Sequence, residues 1–530
     1  MVASFFALGA PSPATRQGVF VDCWPAQSLF PSRNRTFLAY PIRAETFLAA
    51  RLSWLWSKEG LVSFYPPSSP TTAFQAVLAP FLQHQGLPFA DVLTADDIEQ
   101  ACDREGVRFG RAGRSLFTPA LVIWAFLSQV LSKDKSCRAA VLRILVVLVA
   151  LERGPCSTDT AAYCRARAKI PAALLRRLTL QVGQQLEAAV PWRWLWQGHH
   201  VFLADGTTCS LADTPENQQA YPQPPAQKPG LGFPLIRMVV LLSLATAALH
   251  GLAFGRYEGK ETGETALFRK LLEQIPQGSI ILADRYYCSY FLIALLQQND
   301  VDVVFRIHQR RKYDFARGRR LGPDDHVVTW HKPQRPEWLD PEVYAALPTT
   351  LTIREMRLHV RRPGYRVREL VVATTLCDAR RYRKEAVLDL YHERWHVELD
   401  IRAIKVSLGM ESLRCLTPFM VEKELWTYWL GYNLVRKVSC QAAFEQGLHP
   451  RQISFTATKQ ALVEAWKEMT LGSDRNRLTL GQALLRALGK EEVGDRPDRC
   501  EPRAVKRRPK PHRLLTKPRG DARAELLRGT

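Results

Sequence analysis

The chain has 530 residues, of which 46% are hydrophobic and 23% are charged, which is ordinary for a globular protein of about two to four domains. Lys and Arg number 73 against 51 Asp and Glu, and the net charge of +22 favours a polyanionic partner such as nucleic acid. The 11 Cys residues form no Cys-x-x-Cys pair and no Cys/His cluster at zinc spacing, which argues against a disulfide framework and a structural zinc site.

Residues 1–70 contain Pro and Ser clusters without a sustained hydrophobic period, so a weakly ordered N-terminal extension is predicted. Their apolar start has no basic residue before it, which argues against a secretory signal. The longest apolar stretch, residues 238–254, carries His250 and Gly251 near its end and is interpreted as two strands joined by a turn. No membrane-spanning segment is therefore predicted, and a cytoplasmic, nucleoid-associated location is expected.

Residues 71–198 have the periodicity of an all-helical domain. Helices are predicted at 71–85, 95–105, 118–131, 136–152, 158–168 and 171–188. Thr158 or Asp159 can cap the fifth helix, which carries a basic cluster at residues 165–169. This helix could enter a DNA groove as helix-turn-helix elements do, or it could be the solvated end of the domain.

From residue 199 the pattern changes to apolar strands with helices between them, which is typical of an α/β domain. Strands at 200–207, 235–247 and 252–258 are followed by a helix at 262–274, a strand at 279–284, a helix at 290–298 and a strand at 301–307. A loop rich in Pro and Gln is predicted at 212–232. Alternating apolar residues then predict a strand-rich insertion over about 310–375, with strands at 326–331, 351–360 and 367–375.

The C-terminal part of the chain is predicted to be helical and then disordered. Residues 413–490 form a helical region with helices at 417–445 and 456–469. Residues 491–530 are rich in Lys, Arg and Pro, and they are predicted to be a disordered basic tail that adds nonspecific DNA affinity. A second basic run, residues 310–320, could contact a phosphate backbone or could be a solvated loop.

Two apolar runs end in the same three residues, Leu-Ala-Asp, at Asp205 and at Asp284. Both runs are interpreted as buried strands that deliver a carboxylate at or just beyond their ends. A third carboxylate, Glu398, lies on a predicted helix at 378–409 that opens with a capping Asp and closes with Gly. Two strand-borne Asp residues and one helix-borne Glu make an all-oxygen site of the kind that holds Mg²⁺ or Mn²⁺ beside a phosphate.

Glu398 also belongs to a stripe along its predicted helix. At about 100° per residue, Tyr391, Arg394, Glu398 and Lys405 fall within about 60° of one another. One carboxylate is thereby placed among three groups that can bind phosphate. The alternative is ordinary surface pairing, because Arg394 and Glu398 are spaced i,i+4.

These residues resemble those of the bacterial insertion-sequence transposases of the Asp-Asp-Glu class. The resemblance is carried by Asp205-Gly-Thr-Thr, by Asp284-Arg-Tyr-Tyr and by the Tyr-x2-Arg-x3-Glu-x6-Lys spacing from Tyr391 to Lys405, which is that of the branch named for this motif. It covers residues from about 157 to about 437. It implies a ribonuclease-H-like catalytic domain over 199–412 with a β-rich insertion, and the order of predicted strands and helices agrees.

The same resemblance implies a function. Asp205, Asp284 and Glu398 would bind two divalent ions, Mg²⁺ or Mn²⁺, while Tyr391, Arg394 and Lys405 would grip the DNA backbone. Water would cleave the transposon end, and the freed 3′-OH would attack target DNA, with a hairpin intermediate between these steps. The partner would be double-stranded DNA, bound by a homodimer.

Two further DNA contacts are predicted. Arg285 follows Asp284 directly and would face the same DNA. Trp330, in the strand-rich insertion, would stack on or wedge out a base near the cleaved end, because a hairpin requires sharply bent DNA. The alternative is that Trp330 is a core residue at an alternating strand position.

Two competing functions remain. His392-Glu393-x-x-His396 is a literal zinc-protease motif, but no third ligand follows at a suitable spacing, and the motif leaves both Leu-Ala-Asp strands unexplained. The other alternative is a DNA-binding protein that keeps the fold without catalysis. All three acidic positions are intact, which weighs against that interpretation.

Overall fold

The computed structural model describes residues 95–107, 117, 119–150, 157–359, 369–471, 474–494 and 513–528. The predicted N-terminal extension and the predicted helix at 71–85 lie outside these residues, as does most of the predicted tail. Helices and strands are numbered below in chain order within the described residues. None of the helices in these ranges combines the length and apolarity needed to cross a membrane.

Five helices precede the sheet, close to the predicted positions. They are α1 Ala95–Arg104, α2 Pro119–Leu131, α3 Cys137–Ala150, α4 Thr160–Lys169 and α5 Ala172–Ala188. Asp159 is the cap of α4, since its side chain accepts a hydrogen bond from the Ala161 amide. Arg167 of α4 turns inward, where it donates to Gln129 and its guanidinium lies 4.8 Å from the centre of the Phe126 ring.

The strands form one mixed sheet of nine within the described residues, in the order β3-β2-β1-β4-β5-β9-β8-β7-β6. They are β1 Val201–Ser210, β2 Leu235–Ser243, β3 Leu249–Arg256, β4 Ile280–Ala283, β5 Asp302–Arg306, β6 Arg319–Gly322, β7 Asp325–His331, β8 Thr350–His359 and β9 Glu369–Thr374. Strands β1, β4 and β5 are parallel to one another, and the other pairings are antiparallel. The first five strands have the predicted ribonuclease-H-like order.

The strands of the predicted insertion continue the main sheet. Strand β9 pairs antiparallel with β5, so β6 to β9 extend the sheet on that side. Four short helices lie between strands: α6 Pro215–Ala220, α7 Glu264–Arg269, α8 Tyr290–Gln298 and α9 Pro341–Ala346. Helix α6 falls inside the predicted loop at 212–232, where Thr214 caps it and Pro215 begins it.

The prediction of one helix over 378–409 was wrong in two respects. Asp378 is not a helix cap; it accepts hydrogen bonds from Arg380 and Arg381 in a turn, and the helix begins later. The segment is then divided into α10 Lys384–His392, a 3₁₀ turn Glu393–Trp395, α11 His396–Arg402 and a π-helical turn Ala403–Ser407. The change of helical pitch alters which side chains share a face.

A long, almost entirely buried helix, α12 Pro418–Glu445, fastens the helical domain to the sheet. Its Asn433 accepts a hydrogen bond from the Leu249 amide of β3 and donates to the Thr179 carbonyl of α5. At the same contact Gly183 of α5 must lack a side chain, because a Cβ there would lie 2.0 Å from the Leu249 carbonyl oxygen. One residue thereby joins three elements of the core.

Three helices follow: α13 Phe455–Leu471, α14 Asp474–Leu488 and α15 Arg519–Arg528. The prediction of disorder over the whole of 491–530 was wrong for α15. That helix has Asp521 in its first turn and Arg528 in its last, which suits the helix dipole, and Glu525 forms an ion pair with Lys517. The placement of charges therefore favours helix α15, which the overall basic composition of the tail did not indicate.

Candidate active site

The parallel pairing of β1 and β4 brings the two predicted aspartates together. Leu203 of β1 lies opposite Leu282 of β4, and the two strands run in the same direction. Asp205 and Asp284 therefore occupy matching positions two residues further on. Each carboxylate accepts one backbone hydrogen bond: Asp205 from the Gly206 amide at 2.8 Å and Asp284 from the Tyr286 amide at 2.7 Å. The two Leu-Ala-Asp runs therefore converge at the centre of the sheet.

Glu398 reaches this centre from α11 through Arg394. The Arg394 guanidinium donates to Glu398 Oε1 at 2.9 Å, and its other terminal nitrogen lies 3.9 Å from Asp205 Oδ2. The i,i+4 ion pair between Arg394 and Glu398, which the surface alternative predicted, therefore forms. It is largely buried, however, and Arg394 also lies close to a third charged group, Asp205. Arg394 thus links Glu398 to Asp205, which lies at the position matched with Asp284.

The central carboxylates carry more negative charge than their neighbours neutralise. Burial raises the pKa of Asp205 to about 6; the Arg394 charge opposes this rise and the Asp284 charge adds to it. A raised pKa means that the ionised form is poorly stabilised in the protein alone. A cation supplied from outside would relieve that deficit.

The donor chemistry of this centre fits divalent metal ions. Its ligands would be carboxylate oxygens from Asp205, Asp284 and Glu398, which are the donors that Mg²⁺ and Mn²⁺ prefer. In the described residues no three acidic, His or Cys side chains converge closely enough to hold an ion, and Glu398 is bonded to Arg394. The residue types of the centre nevertheless fit the ions.

A fourth carboxylate, Glu264, lies at the same place and was missed by sequence reasoning. It is the first residue of α7, and its side chain covers Gly206, the residue after Asp205. Burial raises the pKa of Glu264 to about 7, and the Asp205 charge raises it further. The only sequence signal was a Glu at the start of the helix after the third strand, which is a common helix-terminus residue.

The remaining members of the predicted stripe do not behave alike. Tyr391 is buried beside Arg394 and Asp284, and burial raises its pKa to about 12. Lys405 is partly buried in the π-helical turn, near Cys209 of β1. Burial raises the pKa of that thiol to about 12, and the Lys405 charge opposes the rise. Only Arg394 is in direct contact with the acidic centre.

The rim of the site next to Asp284 is polar and aromatic. Arg285 donates to Gln309 at 2.9 Å, and the adjacent Tyr286 is 58% exposed, with its ring edge-on to His308. Arg285 is therefore located where DNA could reach it. Tyr286 is an exposed aromatic that sequence reasoning did not single out.

The structure corrects the prediction for Trp330. Its ring is only 4% exposed, its indole nitrogen donates to Glu355 at 2.9 Å, and the Arg311 guanidinium lies 3.5 Å from the ring centre. A ring covered on its face and bonded at its edge cannot stack on a base. Trp330 is the core residue of the alternative interpretation.

The zinc-protease motif is not assembled as a metal site. Glu393 is bound to His396 at 2.8 Å, and a 3₁₀ turn separates His392 from His396. The described residues contain no cluster of His, Cys, Asp and Glu that could hold a metal. In a zinc protease the glutamate of this motif must be free to act as the base, beside two imidazoles that converge on the metal.

Comparison with known proteins gives a consistent result. Residues 196–434, which include the whole acidic centre, match the family model described as "Transposase DDE domain". The chain is 30% identical over 399 residues to the transposase InsG for insertion sequence element IS4 of Escherichia coli (strain K12), across 73% of this chain and 85% of that protein. A cryo-EM structure of the piggyBac transposase synaptic complex with hairpin DNA covers 81% of this chain and 87% of its own, at 12% identity and a TM-score of 0.39.

Proposed function

We propose a specific reaction for this chain, starting from the fact that it belongs to the family of DDE transposases similar to that of IS4 and is therefore a catalytic enzyme. It cleaves at the ends of an insertion sequence and joins the 3′-OH ends to target DNA by phosphoryl transfer. The observation that carries the proposal is the convergence of Asp205 and Asp284 at matched positions of β1 and β4, with Glu398 linked to Asp205 by Arg394.

The family implies divalent metal ions, and we propose that two ions, Mg²⁺ or Mn²⁺, are used. When bound, such ions activate the attacking oxygen and stabilise the leaving oxygen. Asp205, Asp284 and Glu398 are the residues that would hold them. Support comes from the excess negative charge of the centre, which is expressed in the raised pKa of the buried Asp205 carboxyl.

Arg394 has two roles in this proposal. Without DNA it neutralises part of the acidic centre by contacting Glu398 and Asp205. With DNA, its planar guanidinium is suited to bind a backbone phosphate beside the scissile bond. Tyr391 orients Arg394 from the buried side, Lys405 contacts the backbone further along, and Arg285 binds DNA at the rim next to Asp284.

The match to the Tyr-Arg-Glu-Lys spacing supports placement in the branch that this motif names. On that basis a hairpin intermediate between end cleavage and strand transfer is part of the proposal. The exposed Tyr286 and the partly buried Arg285 at the rim are better placed than the buried Trp330 to meet a displaced base.

The proposed partners are double-stranded DNA, as transposon ends and as target, and a second copy of this chain in the DNA complex. The helical region 71–198 is proposed to bind DNA, with the exposed Arg165 and Lys169 of α4 as contacts. A nucleoid-associated location follows from that substrate. The net charge of +22 supports strong and salt-dependent affinity for the phosphate backbone.

The two competing functions have lost their support. Membership of the transposase family overturns the zinc-protease interpretation, and Glu393 is engaged with His396. A protein that keeps the fold without catalysis is disfavoured because the carboxylates at 205, 284 and 398 are all present, with Glu398 linked to Asp205 through Arg394.

The experiment that tests the proposed reaction uses the DNA that flanks the gene. Terminal inverted repeats bracketing the coding sequence would be placed on a linear duplex and incubated with the full-length protein, Mg²⁺ and a target plasmid. We expect cleavage at the repeat ends and joined products in the plasmid, both abolished by chelation. Absence of end-specific cleavage with either Mg²⁺ or Mn²⁺ would contradict the proposal.

A further inference from the structure

Glu264 occupies a place that the chain has made for it. The residue after Asp205 is Gly206, and a Cβ on that glycine would lie 2.3 Å from Glu264 Cδ and 2.5 Å from its Oε1. The Glu264 carboxyl therefore lies against the backbone of β1 at the catalytic Asp. Any larger residue at position 206 would push this carboxyl away.

The partners expected of a structural glutamate are missing around Glu264. Within the described residues its carboxylate forms no ion pair and no hydrogen bond. The Arg237 charge acts on it from β2, where Arg237 also donates to the Thr262 carbonyl. A carboxylate kept for stability alone would be paired.

An independent observation points to the same place. Tyr287 is fully buried, and its hydroxyl has no hydrogen-bond partner in the described part of the chain. Burial raises its pKa, and the acids that raise it further are Glu264, Asp205 and Asp284, in that order. A buried hydroxyl without a partner, within reach of the charges of these three carboxylates, marks a position for a hydrated ligand.

A helix-capping role does not account for this arrangement. An acidic residue in the first turn of a helix is often retained for the helix dipole, and it then faces the amides of its own turn or solvent. Helix α7 has Gly263 as its cap and no side-chain capping bond, and the Glu264 side chain is directed across to β1 instead.

We propose that Glu264 is a fourth acidic ligand of the metal centre, holding a divalent cation or its water together with Asp205 and Asp284, and that Gly206 is required because it leaves room for this carboxyl. The inference rests on the proposed function, since it extends the acidic set assigned there from three residues to four. Tyr287 would donate its hydroxyl hydrogen to the same group of oxygens.

The test measures metal binding directly on the full-length, DNA-free protein. Mn²⁺ binding would be followed by electron paramagnetic resonance of free Mn²⁺ and by the rise in Tm on adding Mn²⁺. Glu264→Gln keeps the shape but removes the charge, and we expect its Mn²⁺ affinity to fall by about tenfold to a hundredfold. Its Tm without Mn²⁺ should be equal to or above that of the wild type, because a partly buried charge without an ion pair has been removed.

Two matched variants make the result specific. Glu273→Gln changes an exposed glutamate in the turn after α7 and should bind Mn²⁺ as the wild type does. Asp205→Asn reports on the acidic set assigned to the proposed function. If Asp205→Asn weakens Mn²⁺ binding and Glu264→Gln does not, the inference about Glu264 is overturned while the proposed function stands. If neither weakens it, the proposed metal centre itself is wrong.

Gly206→Ala tests the second half of the inference. The atoms that its Cβ would meet belong to the end of a flexible side chain, so the protein should fold while the Glu264 carboxyl is displaced. We expect a loss of Mn²⁺ affinity similar to that of Glu264→Ala, and no further loss when the two are combined. Losses that add fully in the double variant would show that Gly206 does not act through Glu264.

Discussion

At the outer strands of the sheet, Asp325 and Glu355 are buried carboxylates with complete sets of partners. Asp325 receives two hydrogen bonds from Arg354, at 2.8 and 2.7 Å. Glu355 is bonded to His326 at 3.0 Å and to the Trp330 indole at 2.9 Å. At the central strands of the same sheet, Asp205 and Glu398 share the guanidinium of Arg394, and no ion pair is found for Asp284 or Glu264 among the described residues.

The difference separates structural charge from functional charge. A buried carboxylate that is fully bonded costs little to keep and is expensive to disturb. A buried carboxylate left short of partners costs stability in the protein alone, and that cost is recovered when a cation binds. The outer acids hold the sheet together, whereas the shortage of partners at the central acids agrees with the proposal that they bind metal ions.

The contrast recurs within α11. Asp400 is buried and receives Arg436 at 2.6 Å and Arg451 at 2.9 Å, and Arg451 also donates to the carbonyls of Ser243 and Leu244 at the end of β2. Two residues earlier, Glu398 faces the acidic centre. The fully bonded Asp400 fixes the helix against the sheet, so that Glu398 is presented at a defined place.

The largest expected effect is in the outer region. Arg354→Met leaves the buried Asp325 without its partner and should lower the free energy of unfolding by about 3–5 kcal/mol. Arg357→Met, on the same strand, breaks only partly exposed ion pairs with Glu369 and Asp324 and should cost less than about 1 kcal/mol. Equilibrium denaturation measures the free energy of unfolding of both variants. Equal losses would contradict the distinction between acids that are fully bonded and acids that are not.

A smaller effect on stability is expected when pH changes the protonation of His449, which lies close to Arg451, one of the two partners of Asp400. Burial lowers the pKa of His449 from its ordinary value to about 4, and the adjacent Arg451 charge lowers it further. The neutral imidazole therefore contributes fully to the free energy of unfolding above a pH of about 6.5, and this contribution is lost as pH falls toward 4. The loss amounts to about 2 kcal/mol after allowing for partial exposure of the side chain.

Replacing this histidine provides the check. His449→Gln should lose less stability than the wild type between pH 7 and pH 4 in denaturation experiments. His331→Gln, which changes an exposed histidine of β7, should follow the wild-type curve. Parallel curves for all three proteins would show that His449 is not held neutral by its surroundings.

The next effect concerns Arg394, the cation that contacts Glu398 and Asp205. Arg394→Lys keeps the charge but loses the planar fork that contacts Glu398 and Asp205, so end cleavage should fall by about tenfold. Arg402→Lys changes an exposed arginine at the end of α11 and should cleave normally. Equal activity of the two variants would mean that the geometry of Arg394 is irrelevant.

The smallest expected effect is a change in Tm that tells whether Asp205 stabilises the fold. Asp205→Asn removes an under-compensated charge and should raise the Tm of the metal-free protein slightly, by an amount equivalent to about 1 kcal/mol. Thermal unfolding in the presence of a chelator measures it. A loss of several kcal/mol, as expected for Arg354→Met, would show that Asp205 is a structural acid.

Local pattern was sufficient to predict the three acids of the proposed triad. Each predicted strand was a continuous apolar run, which indicates burial on both faces, and the carboxylate at its end is visible in the same short window. The matching positions of Asp205 and Asp284 then follow from parallel pairing of the two strands. Alternation likewise indicated β7, β8 and β9.

Other features depend on contacts between distant parts of the chain and have no local signal. Glu264 joins the site because Gly206, in a strand far earlier in the sequence, leaves space for it. The burial of Trp330 is decided by Glu355 on the next strand and by Arg311 from a loop. The 3₁₀ and π turns around α11 change the face that Tyr391 and Lys405 share with Glu398, which an ideal helical wheel cannot anticipate.

The measurement that tests the central claim most directly compares cleavage with binding in Asp205→Asn, Asp284→Asn and Glu398→Gln. Each change keeps the shape of the side chain and removes a charged ligand, so end cleavage should fall by about a thousandfold or more. Affinity for end-containing DNA, measured at one fixed salt concentration, should stay within about threefold of the wild type, because basic contacts are untouched. Near-normal cleavage by any of the three would contradict the assignment of that residue to the acidic centre.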